Sequence, residues 1–227
     1  MNTIIKFLAG TSLCCMISSM AVSCSNEENR TDVITDINDF VEGENHNRLI
    51  AYFSEPLPEN GADAVTSASR VTVGGNVYGS VQYMATVIAD ATGGDLARIR
   101  TVIPYAENFD ELAERADQER QNDVHPEISV AIDDFDSYDV IFVGYPIWWY
   151  QMPMALYSFF DEYDFAGKTI IPFSSHGGSS WSGTREDIAG LEPGATMVEG
   201  YSISRNSVAG SENGIREWLR RIGMLKQ

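Results

Sequence analysis

Two stretches of this chain are apolar over the length of a strand. Asp139–Gly144 reads Asp-Val-Ile-Phe-Val-Gly and Thr169–Phe173 reads Thr-Ile-Ile-Pro-Phe. Asp139–Gly144 is too apolar to be half-exposed, so it predicts a central strand covered on both faces, and Thr169–Phe173 predicts another strand. Leu49–Phe53 and Leu96–Val102 read as two further strands, and Thr196–Ile203 as a fifth. Between them apolar residues recur at helical spacing. Ser80–Ala91 carries Tyr83, Met84, Val87 and Ile88, and Ser211–Ile222 carries Ile215, Trp218, Leu219 and Ile222. Met152–Tyr163 and the short Gly183–Ala189 predict two more helices, and Asn108–Arg120 predicts a polar helix with one thin buried face. Gly93-Gly94 supplies a helix stop. Strands that alternate with helices in this way predict an α/β fold, a three-layer doubly wound sandwich on a five-stranded parallel sheet.

One stretch breaks the alternation. Some two dozen residues separate Ser54 from Gly79, where such a fold normally has a short turn. Within them Arg70-Val-Thr-Val-Gly-Gly-Asn-Val-Tyr78 predicts two short strands about a glycine turn, a hairpin inserted after the first strand.

The strand–helix–strand crossover from Asp139 to Phe173 makes its two strands parallel and brings the loops that follow them to one sheet edge. The first loop continues Tyr145-Pro-Ile-Trp-Trp-Tyr150 and the second Ser174-Ser-His-Gly-Gly-Ser179. One offers aromatic rings, and the other offers hydroxyls and amides that glycines leave accessible. A flat aromatic ligand with polar edges, such as a flavin, suits that pair. Successive residues of an extended segment point opposite ways, so at least one of Trp148 and Trp149 is expected to face the ligand.

The Tyr-Pro-Ile-Trp-Trp loop followed by the His-Gly-Gly-Ser loop resembles one branch of the flavodoxin-like superfamily, over a region running from about Leu49 to the C-terminus. The resemblance implies strand order 2-1-3-4-5 and FMN at the switch point between the first and third strands. It also implies the site. Nothing basic lies between Gly74 and Arg98, so the phosphate is expected on amides and hydroxyls at a helix N-terminus, with Ser54, Gly79 and Ser80 as the available groups. Val81 stands where the family usually has a donor, which weakens this end of the site. Pro146, Ile147, Trp148 and Trp149 form the ring wall. Ser174, Ser175, His176, Gly177 and Gly178 form the other. His46 and His125 make no ligand cluster with His176, so no metal site is expected, and no Gly-x-Ser-x-Gly elbow predicts a nucleophile.

The ends place the domain. Met1–Ser23 holds one cation, Lys6, and a short apolar stretch, which reads as a secretory signal rather than a membrane span. Ala21-Val-Ser-Cys24 is similar to a bacterial lipobox, so Cys24 is the expected lipidation site; an ordinary signal cut near Ser23 is the alternative. Cys14 and Cys15 lie in the removed segment, which leaves Cys24 as the only cysteine of the mature chain and excludes disulfide redox chemistry. Residues 24–48 read as an acidic tether and 49–227 as the folded domain. Loss of Lys6 takes the formal charge from −18 to −19. Such a chain is repelled by nucleic acid and by anionic lipid, so it reaches a bilayer only through an acyl anchor.

These readings give an FMN-binding redox protein of the cell envelope, membrane-anchored. It would be either an electron carrier for a protein partner or a reductase for a quinone-like acceptor. The competing class is a flavodoxin-like binding module that has lost its flavin.

Overall fold

The computed structural model describes residues 40–41, 43–45, 47–55, 70–106 and 108–225. The expected signal segment, Cys24 and residues 56–69 of the insertion lie outside these residues.

In chain order the elements are β1 (Phe40–Val41), β2 (Arg48–Phe53), β3 (Arg70–Val73), β4 (Asn76–Gly79), α1 (Ser80–Thr92), β5 (Asp95–Thr101), α2 (Phe109–Gln121), β6 (Ile128–Ser129), β7 (Val140–Pro146), α3 (Met154–Glu162), β8 (Thr169–His176), α4 (Thr184–Leu191), β9 (Thr196–Met197), β10 (Tyr201–Ser204) and α5 (Glu212–Arg221). The five principal strands run parallel in the order β5-β2-β7-β8-β10. Counted along the chain this is 2-1-3-4-5. Three two-residue strands extend it: β1 and β6 lie antiparallel to β5, and β9 lies parallel to β8.

The sheet is covered on both faces. Leu49, Ala51, Phe53, Ile141 and Val143 pack with α2, α3 and α4, through Leu112, Leu156, Phe159 and Ile188. Ile50, Tyr52, Phe142, Ile171 and Phe173 pack on the other face with α1 and α5, through Met84, Ile88, Ile215 and Trp218. Alternation of the strand side chains between these two clusters is what an uninterrupted apolar run predicts for a doubly covered strand.

The hairpin forms as expected. β3 pairs with β4 from Arg70↔Gly79 to Val73↔Asn76. Gly74 and Gly75 make its turn at φ +58° and +86°, which glycine adopts without the Cβ clash that other residues meet. β4 then runs directly into α1.

The expected fifth strand, Thr196–Ile203, is two strands. Val198 N–H donates to the Ile170 carbonyl, and β10 resumes pairing at Tyr201↔Phe173. Between them lies Pro172, which has no N–H to continue the ladder. A β-carbon on Gly200 would stand 2.4 Å from the Pro172 carbonyl oxygen, so the two backbones press together at the break.

The segment expected as tether up to residue 48 joins the sheet earlier. Phe40 pairs with Ala97 and Val41 with Leu96, so the chain there runs from the carboxyl edge of the sheet toward the amino edge. Gly43 N–H donates to the buried Asp95 carboxylate, which also accepts the Tyr138 hydroxyl at 2.8 Å. At the amino edge Arg48 Nη1 donates to the Met224 carbonyl at 3.0 Å, which ties the start of β2 to the residues after α5.

Candidate functional site

The loops after β7 and β8 meet at the carboxyl edge of the sheet. Pro146 lies opposite Ser175, and Ile147 N–H donates to the Ser175 carbonyl at 2.9 Å. Beyond this point the two chains part around a cleft of about 360 Å³, lined by Ile147, Trp149, Tyr150, Gly177, Gly178 and Ser179. A cleft of that size is within the range that holds small molecules, and a flat tricyclic ring fits it.

The aromatic wall comes from a tight turn. Trp148 N–H donates to the Gln151 carbonyl and Gln151 N–H to the Trp148 carbonyl, both at 3.0 Å. Trp149 and Tyr150 occupy the two central positions at φ +48° and +63°. Positive φ at both positions is the geometry that Asn-Gly usually supplies, and each bulky residue held there costs roughly 1–2 kcal/mol. The turn leaves Trp149 50% and Tyr150 75% exposed. Trp149 Nε1 donates to the Ala113 carbonyl of α2 at 3.1 Å, which fixes its ring.

Trp148 does not belong to this wall. It is 8% exposed and wedged edge-on against Phe53 and Tyr105, with ring centroids 5.4 Å away in each case. Behind it the Tyr105 hydroxyl donates to Glu119, whose carboxylate also takes Arg115 Nε at 2.8 Å. Burial and the adjacent Glu119 charge push the Tyr105 phenol above its ordinary pKa. The expected Trp pair is therefore one core residue and one cleft residue, and Tyr150 is the second ring of the cleft.

On the opposite wall a β-carbon at Gly177 or Gly178 would meet no atom within 4 Å, so this side is open backbone. His176 stands at the end of β8 with Nδ1 accepting the Gly178 N–H at 3.0 Å, and it does not line the cleft. Burial depresses its pKa. The two serines before it diverge. Ser174 Oγ pairs with Ser202 Oγ at 2.8 Å across to β10, so it is engaged in the sheet. Ser175 Oγ is buried and has no partner among the described residues.

Two more hydroxyls share that condition. Ser54 Oγ, at the end of β2, and Ser80 Oγ, at the start of α1, are buried without a partner among the described residues. Ser54 turns to the α1 side of the sheet, where a β-carbon on Gly79 would stand 2.0 Å from its Oγ. Gly79 N–H is occupied by Gln82 Oε1 at 3.0 Å, so the amides left to an external ligand are those opening α1. The Ser54 carbonyl accepts Arg98 Nη2 at 2.7 Å, and Arg70 lies opposite Gly79 in the hairpin. Both arginines are buried, a positive environment that the spacing of the sequence did not reveal. Val81 turns its side chain into the α1 core, 1% exposed.

Among the described residues no group of three or more His, Cys, Asp or Glu could hold a metal ion. No helix among them is long and apolar enough to cross a membrane.

Similarity to known proteins agrees with this geometry. A candidate flavoprotein from Bacteroides eggerthii superposes with TM-score 0.60 at 28% identity, over 79% of this chain and 99% of that one. A second candidate, from Bacteroides uniformis, gives TM-score 0.59 at 24% identity over 77% and 98%. A flavoprotein from Lactobacillus acidophilus, solved in complex with FMN, shares the fold at TM-score 0.52 and 15% identity over 70% and 93%. No curated protein matches the chain. The flavodoxin family profile matches residues 73–222, about two thirds of the 227-residue chain, and includes α1, both cleft loops and α5. The chain belongs to the flavodoxin family.

Proposed function

We propose that this protein binds FMN in the cleft between the β7 and β8 loops and serves as a redox protein of the cell envelope. One observation carries the reading: an open cleft with rings on one wall and bare backbone on the other, at the carboxyl edge of the sheet. The FMN complex of the Lactobacillus acidophilus relative supports the choice of ligand.

The residues fit the group. Trp149 and Tyr150 would lie against the isoalloxazine ring, and the amide of Gly177 would meet its polar edge, the Gly178 amide being held by His176. Ser54 and Ser80 hold buried hydroxyls that lack partners among the described residues, and a phosphate supplies the acceptors they need. The amides opening α1 add the favourable end of the helix dipole. FMN, when bound, supplies one- and two-electron chemistry, while the chain orients it and sets its potential. The formal charge of −19 that remains after loss of Lys6 disfavours an anionic reduced flavin and biases that potential downward, through the carboxylates within about 10 Å of the ring.

Export with an acyl chain on Cys24 places the domain at a membrane surface, where free nicotinamide nucleotides are absent. The electron partner is then a membrane quinone or a redox protein. The test is a titration of the purified chain, from residue 24 onward, with FMN. Quenching of flavin fluorescence with micromolar or tighter affinity is expected. A colourless chain that leaves FMN fluorescence unchanged would instead make it a binding module without flavin.

A further inference from the structure

Eight large apolar side chains stand exposed among the described residues, and five of them gather at one place. Val102 (49%) and Ile103 (73%) follow β5, Phe109 (48%) opens α2, and Trp149 (50%) and Tyr150 (75%) follow β7. Hydrogen bonds hold these segments together. Arg115 Nη1 donates to the Ile103 and Pro104 carbonyls at 2.9 and 2.8 Å. Trp149 Nε1 reaches the carbonyl of Ala113, one turn on from Phe109. The first turns of α2 therefore weld the loops after β5 and β7 into one apolar rim beside the cleft.

Nothing in the fold requires this rim to be apolar. Each side chain lies in a loop or at a helix start, where polar residues are the norm. The Trp149–Tyr150 turn holds two rings out against the conformational preference of its backbone. Aliphatic side chains mixed with Trp and Tyr are the composition of residues that sit at a membrane interface, one end apolar and the other hydrated.

The chain outside the described residues bears on what covers the rim. Sixteen positions separate Cys24 from Phe40, a span that chain geometry caps at about 58 Å. β1 lies antiparallel to β5 beside Leu96 and Ala97, so its direction runs away from the carboxyl edge that carries the rim. A domain tethered to a bilayer within such a span samples it at high effective concentration, so a weakly apolar surface suffices to dock.

We infer that Val102, Ile103, Phe109, Trp149 and Tyr150 form a surface that lies on the lipid bilayer, with the cleft mouth opening toward the acyl region. This rests on the reading that Cys24 is acylated and that the cleft holds the flavin. The excess negative charge, with Asp110 and Glu111 beside Phe109, selects a zwitterionic surface over an anionic one. The electron partner that such a mouth fits is a carrier dissolved in the membrane.

The experiment uses the full acylated chain on phosphatidylcholine vesicles whose acyl chains carry bromine, a tryptophan quencher. Trp148 and Trp218 are buried; Trp181 is half-buried just after the Gly177–Ser179 loop, so the share due to Trp149 is the quenching that Trp149→Phe removes. Quenching is expected, and it should fall at least twofold in Trp149→Phe and in the pair Ile103→Ser/Phe109→Ser. Leu191→Ser, at the far end of α4, should leave it unchanged. Vesicle flotation with no quenching, or quenching indifferent to the rim substitutions, overturns the inference while leaving the anchor intact; it is also the result expected if the rim docks a soluble protein. Absence of acyl chain on the purified protein, read by mass spectrometry, overturns the anchoring reading beneath it. The FMN titration tests the cleft separately.

Discussion

Gly79 and Ser54 meet so closely that a β-carbon on the glycine would stand 2.0 Å from the serine Oγ and 3.1 Å from its Cβ. The contact joins the end of β2 to the start of α1, the two places from which a phosphate site would be built. Gly79→Ala should therefore destabilise the fold by about 1–3 kcal/mol, the usual range for an overpacked core. It should also weaken FMN binding. Ser54→Gly removes the obstructing side chain, so the double variant should lose less stability than the two single losses add up to. Denaturant melts of the four proteins in the cycle measure this, and strict additivity would refute the contact.

The two neighbouring tryptophans should separate cleanly. Trp148→Ala leaves a cavity against Phe53 and Tyr105 and should cost about 3–5 kcal/mol of stability. Trp149→Ala removes a half-exposed ring and should cost under about 1 kcal/mol, yet weaken FMN binding more than any stability change explains. A melt and a flavin titration on each variant decide it. Equal stability losses would contradict the assignment.

Tyr150 holds a positive φ while three quarters exposed. Tyr150→Gly should relieve that backbone and raise stability by about 0.5–1 kcal/mol, or a melting temperature higher by about 1–4 °C for a domain of this size. FMN affinity should fall at the same time. A variant that melts lower would show that the turn carries no strain.

His176 gives a pH dependence. Its Nδ1 accepts a hydrogen bond from Gly178 N–H, which requires the unprotonated atom, and burial depresses its pKa below the ordinary 6.5. The unfolded chain then binds the proton more readily than the folded one, so stability rises with pH. This contribution is complete above about 6.5 and is lost as the pH falls below it. The Gly177–Gly178 wall should loosen over the same window, and FMN affinity should drop with it. His176→Asn, which keeps an acceptor but cannot titrate, should flatten the profile. An unchanged profile would assign the pH dependence elsewhere.

Much of this was readable from residue order because the strands are doubly covered. Ile141, Phe142 and Val143 are all fully buried, and a run of that kind has no other home in a soluble fold. The glycine pair at Gly74 and Gly75 announced its hairpin by the same logic, since only a turn with positive φ calls for it. Where the reading failed, the decisive term was tertiary. Alternation said that Trp148 and Trp149 diverge, but which one faces inward depends on Phe53 and Tyr105, distant in sequence. Tyr150 was missed because two central turn positions at positive φ are normally Asn-Gly, and Trp-Tyr gives no such signal. Arg70 and Arg98 approach the start of α1 through hairpin pairing and sheet register, neither of which shows in linear spacing. Pro172 was visible, but that its imide faces β9 and β10 rather than β7 was not.

The hold of Arg48 on the Met224 carbonyl has a practical use. It pins the residues after α5 at the amino edge of the sheet, the full strand length away from the cleft and its apolar rim. A reporter, affinity handle or electrode linker joined beyond Met224 would thus leave the opposite pole unobstructed for cofactor and vesicle alike.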